Sequence, residues 1–204
     1  MRSPLREQCL TEALNIISES GVANLSLREV ARRLSVSHQA PYKHFQNREH
    51  LLAEAIGQAY DELGKVLRER IHRQNPTEDL GEIGEAYLRF AAQKPLHYRL
   101  LFELPSPELA VYEGVEARAA VAFEILLAAV TRLTSIDDVE FNRECSLFAW
   151  SCVHGMASIA ANQILPAIGF FEQESQVRAY RESLRMICGA IQARAETKSR
   201  SDCD

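Results

Sequence analysis

The sequence predicts an all-α chain, and three observations carry that prediction. Apolar residues recur at intervals of three and four along almost every segment, as the buried face of a helix requires. No stretch alternates apolar and polar residues with period two, so no strand is expected. Start signals (Ser26, Ser37, Asn47, Thr77) and stop signals (Gly21, Pro95, Pro166) cut the 204 residues into helix-sized pieces. Short pieces fill residues 1–50 and define an N-terminal three-helix domain, and longer ones fill residues 51–195 and define a larger helical domain. The polar stretch 196–204 reads as a disordered tail.

Within the first domain, Leu5, Cys9, Ala13 and Ile16 place one apolar face on a first helix, which ends at Gly21, a residue suited to a left-handed C-terminal position. After a loop to Leu25, Ser26 is an N-cap, and Glu29 stands three residues on, the spacing of a capping box. Leu27, Val30, Ala31 and Leu34 form the inner face of this second helix, while Arg28, Arg32 and Arg33 point elsewhere. Ser35-Val36-Ser37 breaks the pattern, with Val36 as an apolar plug and Ser37 as the next cap. The following helix carries His38, Gln39, Tyr42, Lys43 and His44 and ends in the apolar Phe45, which is expected to dock on its predecessor. Pro41 lacks a backbone N–H, so this helix is expected to start tightly or irregularly. Two short helices joined by a tight turn make a helix-turn-helix, whose second member places donors and acceptors on base edges in the DNA major groove.

The second domain opens with a connector from about Asn47 to Arg70. Asn47 is its cap, Glu49 lies in its first turn, and a stripe of Leu51, Leu52, Ala55, Ile56, Tyr60 and Leu63 continues past Gly57. Asn75-Pro76 breaks the chain, and Thr77 is the expected cap for a helix over Glu78–Ala92. Pro95 ends that helix, a short piece spans His97–Glu103, and Pro105 and Pro107 stop it. An Ala-rich helix is expected from Glu108 to about Leu133, with Gly114 as its weak point, then one from Val139 to Leu165 and a last one from Glu172 to Ala195. Phe141, Cys145, Phe148, Cys152, Gly155 and Ile159 form one stripe, and Val177, Tyr180, Leu184, Ile187 and Ile191 another. Two such helices from each of two chains would build a four-helix bundle, hence an expected homodimer, although the same stripes would also serve as internal core.

Composition narrows the function classes. Residues 1–50 hold seven Lys and Arg against five Asp and Glu, net +2 with three histidines, whereas the remainder holds sixteen against twenty-three, net −7. A basic end on an acidic body suits a DNA-binding head on a ligand-binding body. Five cysteines without a Cys-x-x-Cys pair argue against a disulfide framework and against a thiolate metal site. No run of eighteen apolar residues and no apolar leader is present, so no membrane partner is expected and the cytoplasm is the expected location. No catalytic motif, cofactor loop or metal-ligand spacing is found, and Asp137-Asp138 sits at a helix start, where caps belong.

The run Leu27-Arg28-Glu29-Val30-Ala31, then Val36-Ser37, Tyr42-Lys43-His44-Phe45, Arg48-Glu49 and Leu51-Leu52, resembles the DNA-binding domain of TetR-family regulators. Tyr98-Arg99-Leu100-Leu101-Phe102 and Trp150 with His154-Gly155 are similar to the WHG-type C-terminal domain of the same family. The resemblance implies a double-stranded, palindromic DNA operator contacted by Ser26, Ser37, His38, Gln39, Ala40, Tyr42, Lys43, His44 and Arg48. It also implies a repressor released by a small-molecule effector. Trp150 and His154, four apart on one helical face, would line an apolar pocket with Tyr87, Phe102, Tyr112 and Phe123, or else form an aromatic core cluster. The rival function is that of an all-α small-molecule-binding protein or enzyme with a non-functional head, which would bind DNA without salt dependence or not at all.

Overall fold

The structure is a computed structural model that describes residues 4–71, 75–102, 112, 114–162, 167–169 and 173–201. Among these residues the chain is helical, without strands: α1 (Pro4–Ser20), α2 (Leu27–Arg33), α3 (Arg48–Arg68), α4 (Pro76–Gln93), α5 (Pro95–Phe102), α6 (Val115–Thr134), α7 (Val139–Ala161) and α8 (Gln173–Ser201). Two 3-10 turns lie at Val22–Asn24 and Pro41–Lys43. The chain forms two compact units, Met1–Asp61 with Leu96–Ala119, and Glu62–Pro95 with Ala120–Asp204. The first unit therefore contains the whole predicted head, and adds to it α3 as far as Asp61, α5 from Leu96 and the start of α6.

In the first unit α1 buries Cys9, Leu10, Ala13, Ile16 and Ile17, and α2 buries Leu27, Val30 and Ala31. Gly21, at φ 82°, turns the chain out of α1 into a 3-10 turn where a plain loop was expected. The Ser26 hydroxyl accepts from the Glu29 N–H at 3.1 Å, as its spacing predicts. The reciprocal half of the capping box is absent, because the Glu29 carboxylate is taken by Arg32 at 2.6 and 2.8 Å and by Arg33 at 2.9 Å. Those guanidiniums, Arg32 first, hold the Glu29 carboxyl down at about 2. Helix α2 ends in a Schellman arrangement, with the Val36 N–H on the Ala31 carbonyl at 3.1 Å, the Ser35 N–H on Arg32 at 3.2 Å, and Ser35 in the left-handed region at φ 55°.

In the second unit α4 packs against α7 and α8, burying Leu80, Ile83, Tyr87 and Phe90. Its cap is Asn75 rather than Thr77: the Asn75 Oδ1 accepts from the Thr77 N–H at 3.0 Å, and Pro76 takes the first helical position, where a missing donor costs nothing. Thr77 instead accepts from Gln192 of α8 at 2.9 Å. Gly114, expected inside a helix, sits at φ 87° just before α6; the predicted start at Glu108 lies outside the described residues. Asp138 caps α7 through the Phe141 N–H at 3.0 Å.

The stretch expected to be a disordered tail continues α8 as helix as far as Ser201. Lys198 reaches Asp138 at 3.1 Å and, with Arg194, lies over the Phe141 ring. Hydroxyls of Thr197, Ser199 and Ser201 each return to the carbonyl four residues back, so polar composition here marks a solvated helix. Of the predicted stripes, Phe141, Cys145, Leu184, Ile187 and Ile191 are internal, whereas Phe148, Ile159 and Val177 are exposed. Cys9, Cys145 and Cys188 are buried hydrophobes whose thiols burial pushes up. Among the described residues no single helix is long and apolar enough to cross a membrane.

Candidate nucleic-acid interface

The predicted recognition helix is shorter and tighter than a regular α-helix. Pro41 has no N–H to give the Ser37 carbonyl, which accepts from Ala40 at 2.9 Å instead; Lys43 then donates to Ala40 at 3.3 Å, and His44 and Phe45 donate to Pro41 at 2.9 and 3.0 Å. The result is a turn over 38–40 followed by the 3-10 turn Pro41–Lys43. Ser37 thus contributes its carbonyl rather than a hydroxyl cap.

This geometry sorts the side chains. Pro41 is buried and Phe45 is 0 % exposed, anchoring the segment, while Ser37, His38, Gln39, Tyr42 (44 % exposed) and Lys43 face solvent, with Ala40, His44 and Ser26 half-buried. Two anchors thus hold one exposed row of donors and acceptors.

Arg48 has an internal task. Its guanidinium donates to the carbonyls of Val22 at 2.7 Å and Leu25 at 3.0 Å, tying the first 3-10 turn to the start of α3. Most head arginines behave likewise: Arg6 pairs with Glu54 at 2.6 Å, and Arg33 with Glu12, Glu19 and Glu29 at 3.3, 2.7 and 2.9 Å. Arg28 and Lys43 are exposed and make no ion pair among the described residues. Arg28 therefore joins Lys43 as a cation open to phosphate. Its signal in the sequence was its place off the apolar face of α2, one residue into the helix.

The six residues expected around an effector divide between the units. Tyr87, Phe123, Trp150 and His154 come together in the second. The Tyr87 hydroxyl hydrogen-bonds the His154 Nδ1 at 3.0 Å, Trp150 leans on His154 at 5.7 Å between ring centroids, and Phe123 meets Trp150 edge-on at 5.3 Å. Phe102 and Tyr112 belong to the first unit. Phe102 packs on Tyr98 at 5.2 Å, and Tyr112 stacks on His50 at 5.4 Å and donates to the Asn47 Oδ1 at 3.2 Å.

A short helical segment anchored on α2 and presenting exposed polar side chains, followed by a long helix and an all-α body, defines a helix-turn-helix transcription regulator. Residues 10–55 match the family of bacterial regulatory proteins described as tetR family, and residues 80–177 match the tetracyclin repressor-like C-terminal domain. The chain belongs to the TetR family of regulators. Among solved structures it is similar to a protein of unknown function from Rhodococcus sp. RHA1, at 23% identity and TM-score 0.74 over 91% of this chain and 95% of that one. It is also similar to the fatty acid degradation regulator FadR from Bacillus halodurans (14%, TM-score 0.68, covering 90% and 96%) and to a TetR family transcription regulator from Marinobacter aquaeolei VT8 (15%, TM-score 0.62, covering 91% and 94%). These likenesses show the fold. The sequence matches no curated protein at a significant level.

Proposed function

We propose that this regulator is a repressor that binds a palindromic operator as a homodimer and leaves it when its body takes up a small apolar or aromatic molecule. The observation that carries the DNA-binding part is the exposed row Ser37, His38, Gln39, Tyr42 and Lys43 on a segment pinned by buried Pro41 and Phe45. Gln39 is the base reader in this proposal, Tyr42 touches a phosphate or a thymine methyl, and Lys43, His44 and Arg28 serve phosphates. For dimerisation, α7 and α8 leave Leu147, Phe148, Ile159 and Met186 exposed, the last at 68 %. An added Cβ at Gly155 or Gly189 would meet nothing within 4 Å. Such a face can receive the same face of a second copy. The effector would lie against Tyr87, Phe123, Trp150 and His154, where an aromatic wall carries one hydrogen-bonding pair. Release is then a population shift driven by the effector's unequal affinity for the two states.

The test is selection of bound duplexes from a random pool at two salt concentrations. A palindromic consensus is expected, with affinity falling steeply as salt rises. Enrichment of no sequence, with affinity flat in salt, overturns the reading. Within a selected operator, Gln39→Ala is expected to relax one base position at a cost of about 1–3 kcal/mol, whereas Lys43→Ala weakens all sequences alike. A screen of apolar and aromatic compounds by thermal shift tests the body, with His154→Ala expected to remove the shift while DNA binding persists.

A further inference from the structure

One charge cluster in the first unit joins side chains of α1, α3 and α6. Arg118, near the start of α6, lays its guanidinium across α3 directly over Gly57, where an added Cβ would fall 2.2 Å from its Nη1. The same fork binds Asp61 through Nε at 3.0 Å and Nη2 at 2.6 Å, and reaches Glu54 at 3.4 Å. Glu54 also accepts Arg6 of α1 at 2.6 Å, and the Arg6 guanidinium stands over the Phe45 ring at 5.5 Å. Arg6 and Arg118 thus converge on one half-buried carboxylate. Burial alone would raise it, but the two arginines hold it below its ordinary range. A continuous line of contacts therefore joins α6, through α3 and α1, to the residue that anchors the recognition segment.

We infer that Arg118 is a positioning residue for operator binding: seated over Gly57, it holds α3 against α1 and so sets the angle at which the Pro41–Lys43 segment is presented. This rests on the DNA-binding reading above. Glycine is required at position 57 because only hydrogen leaves the guanidinium room to reach Asp61 and Glu54 together. Gly57→Ala is the sharpest probe. It leaves every charge in place and favours the helix. The atoms it displaces are the far end of a flexible side chain, so folding is retained.

The experiment takes the full-length protein and its selected operator, and measures Kd, thermal melting and the preferred spacing between half-sites for wild type, Gly57→Ala, Arg118→Ala and Arg118→Lys. Gly57→Ala and Arg118→Ala are expected to weaken binding about tenfold, the ordinary scale of coupling between sites. Both are expected to broaden the half-site spacing while leaving the consensus bases unchanged, and Arg118→Lys to recover part of the affinity. A structural role alone would move melting without moving spacing. If Arg118→Ala melts early, Gly57→Ala decides. Wild-type affinity and spacing in Gly57→Ala, with a clear wild-type consensus, overturn the inference and leave the regulator reading standing; a wild type that selects no sequence overturns both.

Discussion

Two glycines on two helices separate the building principles of the two units. An added Cβ at Gly57 would strike a guanidinium, and one at Gly84 would lie 2.5 Å from a methyl of Leu184, itself buried between α4 and α8. The first unit is joined at its seams by forked charges: Arg33 across α1 and α2, Arg6 and Arg118 on Glu54. The second is joined by interleaved apolar side chains, and Arg132 pairs there with the buried Asp79 at 2.6 Å. The difference follows from size and task. The first unit has an apolar core of its own, with Ile16, Leu25, Val30, Phe45 and Tyr98 fully buried, but its short helices also present polar groups outward, so forked charges are added where they meet. Long helices have enough apolar face to align themselves.

The largest effect expected is in the core of the first unit, where Phe45→Ala should cost about 3–5 kcal/mol in urea unfolding, since its fully buried ring packs against His50 and lies under the Arg6 guanidinium. Next comes the glycine pair. Gly84→Ala should cost about 1–3 kcal/mol, because Leu184 has no solvent to retreat into. Gly57→Ala should change stability little, since the helix propensity gained offsets the partly exposed ion pairs that Arg118 gives up, and a loss there as large as at Gly84 would erase the distinction between the units.

Acid titration tests the same contrast. Glu29, held at about 2 by Arg32 and Arg33, and Glu54, held low by Arg6 and Arg118, both have folded-state values below their unfolded ones. Their stabilisation is therefore complete above about pH 5 and is lost as pH falls, for Glu29 down to about 2. Asp138, lowered by the Phe141 N–H and then by Lys198, contributes in the second unit with the same sign. Replacing Arg32 and Arg33 by Gln should flatten the fall of stability between about pH 5 and 2, as read by circular dichroism. An unchanged slope would show that the head does not depend on these forks.

The smallest effects lie at the ends of α2. Ser26→Ala should cost about 1 kcal/mol through loss of the cap. Ser35→Gly should stabilise by about 1 kcal/mol, because it relieves the left-handed backbone at φ 55°. Denaturant midpoints check both.

Much of the fold was legible because its signals are local. Ser26 and Asp138 cap helices through donors three residues on, and apolar spacing marked the buried faces of α1 and α2. The recognition segment was legible as to residue, and Pro41 foretold its irregular start. Its division into a turn over 38–40 and a 3-10 turn over Pro41–Lys43 was decided by how the remaining carbonyls found donors.

By itself the sequence determined the all-α class and the helix-turn-helix, since these depend on neighbours within about one helical turn. Tertiary structure alone decided where each long polar side chain is used. It turned Arg48 inward to the Val22 and Leu25 carbonyls and set Tyr112 on His50 and Asn47. It also set Lys198 of α8 on Asp138, and brought Gly57 under Arg118. Each of these pairs residues twenty or more positions apart, and no period or cap in a linear sequence encodes which distant carboxylate or carbonyl a flexible guanidinium will reach.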